Sequence, residues 1–100
     1  MSLTNRNNLS SIITVKKIDN NTYEVSVTDR STTTHRVTLT DSYHKKLTGE
    51  KCSKREIIKK SFEFLLDRES NTMILRKFDL PVIQSYFPEY ERKLTNELSS

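Results

Sequence analysis

The sequence predicts an α+β domain: a three-stranded antiparallel meander followed by a short helix, one long amphipathic helix and short C-terminal helices packed on one sheet face. Three observations predict it. Apolar and polar residues alternate with a period of two from Ile13 to Thr40, interrupted by Asp19-Asn20-Asn21 and Asp29-Arg30-Ser31. From Lys54 to about Glu69 the apolar residues instead recur at helical spacing. After Phe78 two prolines break the chain into short pieces, the last with Tyr90, Leu94 and Leu98 four residues apart.

Ile13, Val15 and Lys17 alternate with Thr14 and Lys16 as a first strand. Asp19-Asn20-Asn21 then supplies residues that tolerate the left-handed backbone of a tight turn. Tyr23, Val25 and Val27 alternate with Thr22, Glu24, Ser26 and Thr28 as a second strand. His35, Val37 and Leu39 face one way on a third, while Thr34, Arg36, Thr38 and Thr40 face the other. Both connections are too short for a parallel crossover, so the three strands form a meander. Its outer face is mostly Thr and Ser, without the aromatics on which an RNA-reading sheet stacks bases.

Thr40 or Asp41 caps a short helix from Asp41 to about Leu47, and Gly49, the only glycine, is placed to end it. Ser53 with Glu56 three residues later forms a capping box for the long helix. On a wheel, Phe64, Ile57, Ser61, Leu65, Ile58, Phe62 and Leu66 span roughly 200°. One sheet face cannot cover so wide an arc, which calls for a second cover from the C-terminal segment or from a second subunit. Residues 73–78 read as an extended or irregular link. Asp79 is placed to cap a short helix with Pro81 in its first turn, and Pro88 to end it and start another. Phe78, Tyr86, Phe87 and Tyr90 are four of the eight aromatic residues. They read either as packing over the long helix or as the wall of a groove for a peptide or small ligand.

Residues 1–10 are polar and Asn-rich and are expected to be flexible, leaving residues 11–98 as a single domain. Hydrophobic content is 33%, low but periodic. No apolar run approaches the roughly 18 residues that span a bilayer. Cys52 is the only cysteine, so no intrachain disulfide forms, and a cytoplasmic location is expected. A chain with one glycine has no glycine-rich phosphate loop, and neither His35 nor His44 has a second ligand at metal spacing. Cys52 precedes a helix start but has no evident base, and the Glu89/Glu91 pair lies on a polar helix surface. No catalytic, cofactor or metal site is therefore expected, and the chain reads as non-enzymatic.

The formal net charge is +4 and it is concentrated: between His44 and Lys60, seven Lys/Arg face Glu50 and Glu56. That run is either a solvated face or a phosphate-contacting one.

The segment Arg36-Val37-Thr38-Leu39-Thr40-Asp41-Ser42-Tyr43, followed by Ser53-Lys54-Arg55-Glu56-Ile57-Ile58, resembles the ribbon-helix-helix pattern. The resemblance implies a strand paired with that of a second subunit and laid in the major groove. Arg36 and Thr38 would then face bases, Ser53 and Lys54 the backbone, and Lys45, Lys46 and Arg55 would add positive charge. The sequence departs from the pattern in its short first helix and in the two strands that precede the ribbon. A second resemblance spans about Ile12 to Glu91. Thr22-Tyr23-Glu24-Val25, Thr33-Thr34-His35-Arg36-Val37-Thr38, Ser61-Phe62-Glu63-Phe64-Leu65-Leu66, and Ile74-Leu75-Arg76-Lys77-Phe78-Asp79-Leu80-Pro81-Val82-Ile83 with Tyr86-Phe87-Pro88-Glu89-Tyr90-Glu91 are similar to a family of small uncharacterised bacterial proteins. It implies no activity.

Two functions follow from these readings. One is a bacterial protein-interaction or regulatory module, with a homodimer as one way to cover the wide helical arc. The other is a ribbon-helix-helix-like DNA-binding transcriptional regulator.

Overall fold

A computed structural model of the chain describes residues 12–48 and 51–99. Strands β1 (Ile12–Lys17), β2 (Thr22–Thr28) and β3 (Thr32–Thr38) lead into helices α1 (Asp41–Thr48) and α2 (Lys54–Leu66). A 3-10 turn (Asn71–Met73), strand β4 (Lys77–Asp79) and helices α3 (Val82–Tyr86) and α4 (Tyr90–Ser99) complete the chain. The expected flexible segment 1–10 and the expected helix-ending Gly49 lie outside the described residues.

The meander is present as expected. β1 pairs antiparallel with β2 through Val15↔Val25, and β2 with β3 through Tyr23↔Val37 and Val25↔His35. Asp19 holds the first turn: its Oδ1 accepts the Asn21 and Thr22 N–H groups at 3.0 and 2.9 Å. Among the described residues, however, the sheet has four strands in the order β1-β2-β3-β4, and β4 runs parallel to β3 with Val37↔Phe78 in register. The segment expected to be an irregular link thus ends in a strand. Nothing local announces a parallel strand of three residues, because its partner lies some forty positions earlier and no hairpin turn precedes it. Asp79 consequently caps nothing. Leu80 donates its N–H to Thr38 O at 2.9 Å, which keeps Asp79 in β4, and α3 starts at Val82 with Pro81 at its N-cap and no side-chain cap.

Thr40 caps α1, its Oγ1 accepting the Tyr43 N–H at 3.2 Å. At α2 the capping box is complete: Ser53 Oγ accepts the Glu56 N–H at 3.1 Å, and Glu56 Oε1 accepts the Ser53 N–H at 3.2 Å. The helix ends at Leu66, with residues 67–69 forming the turn out of it.

Both covers of α2 come from its own chain. Phe62 meets His35 of β3 and Phe78 of β4, with ring centroids 5.4 and 6.1 Å away. Phe64, on the other flank, packs edge-on against Phe87 at 5.8 Å and Tyr90 at 5.2 Å. Ser61, central in the arc, donates to Ile57 O at 2.7 Å and sits 2.7 Å from the buried Tyr90 hydroxyl. The polar atoms that α4 brings into the core are thereby satisfied. Arg68 finishes the seam, its guanidinium 3.6 Å over the Phe64 ring and 3.1 Å from Glu89.

Phe62 is fully buried between helix and sheet, so Phe62→Ala is expected to cost about 3 to 5 kcal/mol. Urea unfolding measures it, and a loss below about 1 kcal/mol would place Phe62 outside the core that joins helix and sheet.

Candidate functional site

The side chains singled out by the ribbon-helix-helix resemblance fall on three elements. Arg36 and Thr38 point outward from β3, Lys45 and Lys46 lie on α1, and Ser53, Lys54 and Arg55 begin α2. A ribbon requires β3 to pair with the same strand of another copy. Here β2 occupies one edge of β3 and β4 the other, with Arg36 donating its N–H to Arg76 O at 2.7 Å. The N-terminus of α2 is spent on its own capping box, so Ser53 already has its partners. Lys54 is only 11% exposed and bonds Asp41 at 2.6 Å, Asn21 Oδ1 at 2.9 Å and Asn20 O at 3.0 Å. The hydrogen bond and charge of Lys54 hold the Asp41 carboxyl below its usual range. Arg55 donates to Val15 O at 3.1 Å, and Lys46 lies 3.7 Å from Glu91 and over the Tyr43 ring. Much of the basic run therefore ties α1 and α2 to the rest of the domain. Cys52 is partly buried, its carbonyl accepting a hydrogen bond from His44 Nε2.

A groove opens elsewhere, where α2 ends and the chain returns to the sheet. It has a volume of about 230 Å³, with a floor of Leu65, Ile74, Phe78 and Ile83. Met73, Leu75 and Tyr86 stand at its rim, exposed by 68%, 46% and 65%. Glu69 is the only carboxylate in the lining, and its partial burial raises its carboxyl pKa.

A buried polar chain fixes one wall. Asn71 Nδ2 donates to Ser31 O at 3.0 Å, to Thr33 Oγ1 at 3.1 Å and to Val27 O at 3.2 Å, sharing two hydrogens among three acceptors. Thr33 Oγ1 lies 2.8 Å from His35 Nε2, and His35 Nδ1 lies 2.8 Å from Leu75 O. A carbonyl only accepts, so Nδ1 carries the proton. Neutral His35 then accepts a hydrogen bond from the Thr33 hydroxyl at Nε2, and both ring nitrogens are satisfied. The chain anchors residues 71–75 on β3 and leaves Met73 and Leu75 facing outward.

No family model, curated protein or solved structure matches the chain. Among the described residues no group of three or more His, Cys, Asp or Glu is placed to hold a metal ion, and no helix is long and apolar enough to cross a membrane.

Of the aromatic cluster read from the sequence, Phe78, Phe87 and Tyr90 pack on α2, while Tyr86 lines the groove. Met73 and Leu75 were not singled out. For Leu75 the signal is parity, since extended backbone at the buried Ile74 turns the next side chain outward, whereas Met73 ends the 3-10 turn and follows no such period.

Desolvation lowers the His35 pKa, and the nearby Arg76 charge lowers it further, against the opposing hydrogen bond to Leu75 O. The fold prefers the neutral ring. Its contribution is fully present above the unfolded value of about 6.5 and is lost as the pH falls from there through the lowered folded pKa. His35→Asn, which keeps a donor near the Nδ1 position but does not titrate, should lose less stability than the wild-type chain between pH 7 and pH 5. Equal losses in urea unfolding at the two pH values would remove His35 as the source.

Proposed function

We propose that the chain is a non-enzymatic protein-interaction module of the cytoplasm that takes an apolar anchor of a protein partner into the groove beside β4. One observation carries this reading: three large apolar side chains, Met73, Leu75 and Tyr86, stand exposed together around an apolar floor. Single exposed apolar residues are ordinary on protein surfaces, whereas a cluster around a concavity marks a contact site. The groove is smaller than the roughly 300 to 1,000 Å³ of small-molecule sites, a size that suits one or two side chains better than a cofactor. The internal use of Ser53, Lys54 and Arg55 adds support, since it removes part of the phosphate-contacting set that DNA binding would draw upon.

Panning a displayed peptide library on the folded full chain tests the reading. Recovered peptides should share an apolar anchor and lose about tenfold or more in affinity on Leu75→Glu and on Tyr86→Ser. Both side chains are exposed, so both variants should keep the wild-type circular dichroism. Failure to enrich any such peptide, or binding indifferent to both changes, would overturn the proposal. So would duplex DNA binding at low salt that is abolished by Arg36→Ala and follows a log-log salt slope of about −0.9 per phosphate.

A further inference from the structure

Resting on that reading of the groove, we propose that its partner is a second copy of this chain, joined antiparallel through the outer edge of β4, so that two sheets become one across a two-fold axis.

The argument begins with where the backbone of β4 points. Arg36 N–H donates to Arg76 O at 2.7 Å, and Leu80 N–H donates to Thr38 O at 2.9 Å. Residues of a strand turn their N–H and C=O groups alternately to one side and the other. Arg76, Phe78 and Leu80 therefore face β3, while Lys77 and Asp79 present theirs outward. Among the described residues no backbone hydrogen bond reaches those outward groups. They form a short open edge beside the groove, with Phe78 in the wall of both.

The order of side chains along this edge fits a copy of itself. In an antiparallel pairing centred on Phe78, Lys77 of one copy lies opposite Asp79 of the other, and Asp79 opposite Lys77. Opposite charges directly across a strand pair are favourable, and like charges there are not. The parity of the hydrogen bonds agrees. Lys77 and Asp79, whose groups point outward, become the hydrogen-bonded pairs of the new ladder. Phe78, whose groups are spent on β3, becomes the close non-bonded pair on the axis. A two-fold contact must be self-complementary, and this three-residue strand is.

A seam of three residues is far short of the roughly 800 Å² per partner of a stable interface. The exposed rim of Met73, Leu75 and Tyr86, which shares the groove with Phe78, supplies apolar surface beside it. The charge pairs then set register and exclude other registers more than they add affinity. The opposite edge of the sheet offers no such match. On β1, Arg55 already occupies Val15 O, and Lys16 and Lys17 stand with no acid in the strand.

Sedimentation velocity of the full chain over a concentration series tests the proposal by charge reversal. The wild-type chain should dimerise. Lys77→Glu and Asp79→Lys should each raise the dimer Kd by about tenfold or more, because each sets like charges opposite one another. The double variant Lys77→Glu with Asp79→Lys should recover the wild-type Kd to within about threefold. Both side chains are exposed, so unchanged circular dichroism verifies that each variant folds. A chain that stays monomeric at all concentrations, or a dimer indifferent to the reversals, overturns the β4 pairing. The groove reading survives either result if anchored peptides still bind and still depend on Leu75 and Tyr86, and it falls separately if they do not.

Discussion

The two-sided burial of α2 organises this molecule. A helix of thirteen residues that carries Ile57, Ile58, Ser61, Phe62, Phe64 and Leu65 buried cannot be satisfied by the sheet alone. Its Phe62 flank lies on β3 and β4, and its Phe64 flank has to be closed by something else. The C-terminal segment closes it, with Phe87 and Tyr90 edge-on to Phe64 and the Tyr90 hydroxyl on Ser61. That small residue allows the approach of Tyr90, and its hydroxyl accounts for the only polar atom the phenol brings. Burial raises the Tyr90 pKa, so the phenol stays protonated as the contact needs. With both covers drawn from one chain, α2 needs no second subunit to complete its core. A second subunit would instead have to dock elsewhere.

The route of the chain between the two covers creates the groove. After α2 the backbone must return to the sheet edge and then double back as α3 and α4. The return is pinned by Asn71 and His35, which bond to β2, β3 and the 31–33 segment and to the carbonyl of Leu75. The doubling back is pinned by Gln84, whose Nε2 donates to Pro88 O at 2.7 Å while its Oε1 accepts the Glu91 N–H at 2.9 Å. Tyr43 then ties α1 to α4, donating to Glu91 at 2.7 Å. Two fixed walls diverge from the end of α2, and the space between them is apolar because each wall also faces the core.

The amount legible in the sequence followed the range of the interactions. The meander, the capping box at Ser53 and Glu56 and the apolar arc of α2 rest on contacts within a few residues, and period and capping chemistry expose them directly. Strand β4 rests on a pairing between Arg36–Thr38 and Lys77–Asp79, which no window along the chain can show. The same gap explains Asp79: as an acid before Leu80-Pro81 it reads as a cap, but Leu80 is held to Thr38 and the strand wins over the local preference. It also explains the outward residues of β3. A polar strand face after two turns reads equally well as a ribbon or as the surface of a wider sheet, and only the occupant of the second edge decides between them. The groove was legible in part, through its aromatics, whereas the outward turn of Met73 and Leu75 depends on how residues 71–75 are tied to β3, some forty positions away.

The position of β3 inside the sheet is the claim from which the rest follows: it closes the ribbon geometry, brings Phe78 onto Phe62 and places an open edge beside the groove. Amide hydrogen exchange on the native chain measures it residue by residue. The N–H groups of His35 and Val37 face β2, and those of Arg36 and Thr38 face β4. An interior strand protects all four in succession, with Arg36 and Thr38 slowed to a similar order as their neighbours. Fast exchange at Arg36 and Thr38 beside slow exchange at His35 and Val37 would mean that β4 does not pair there and that β3 is an edge.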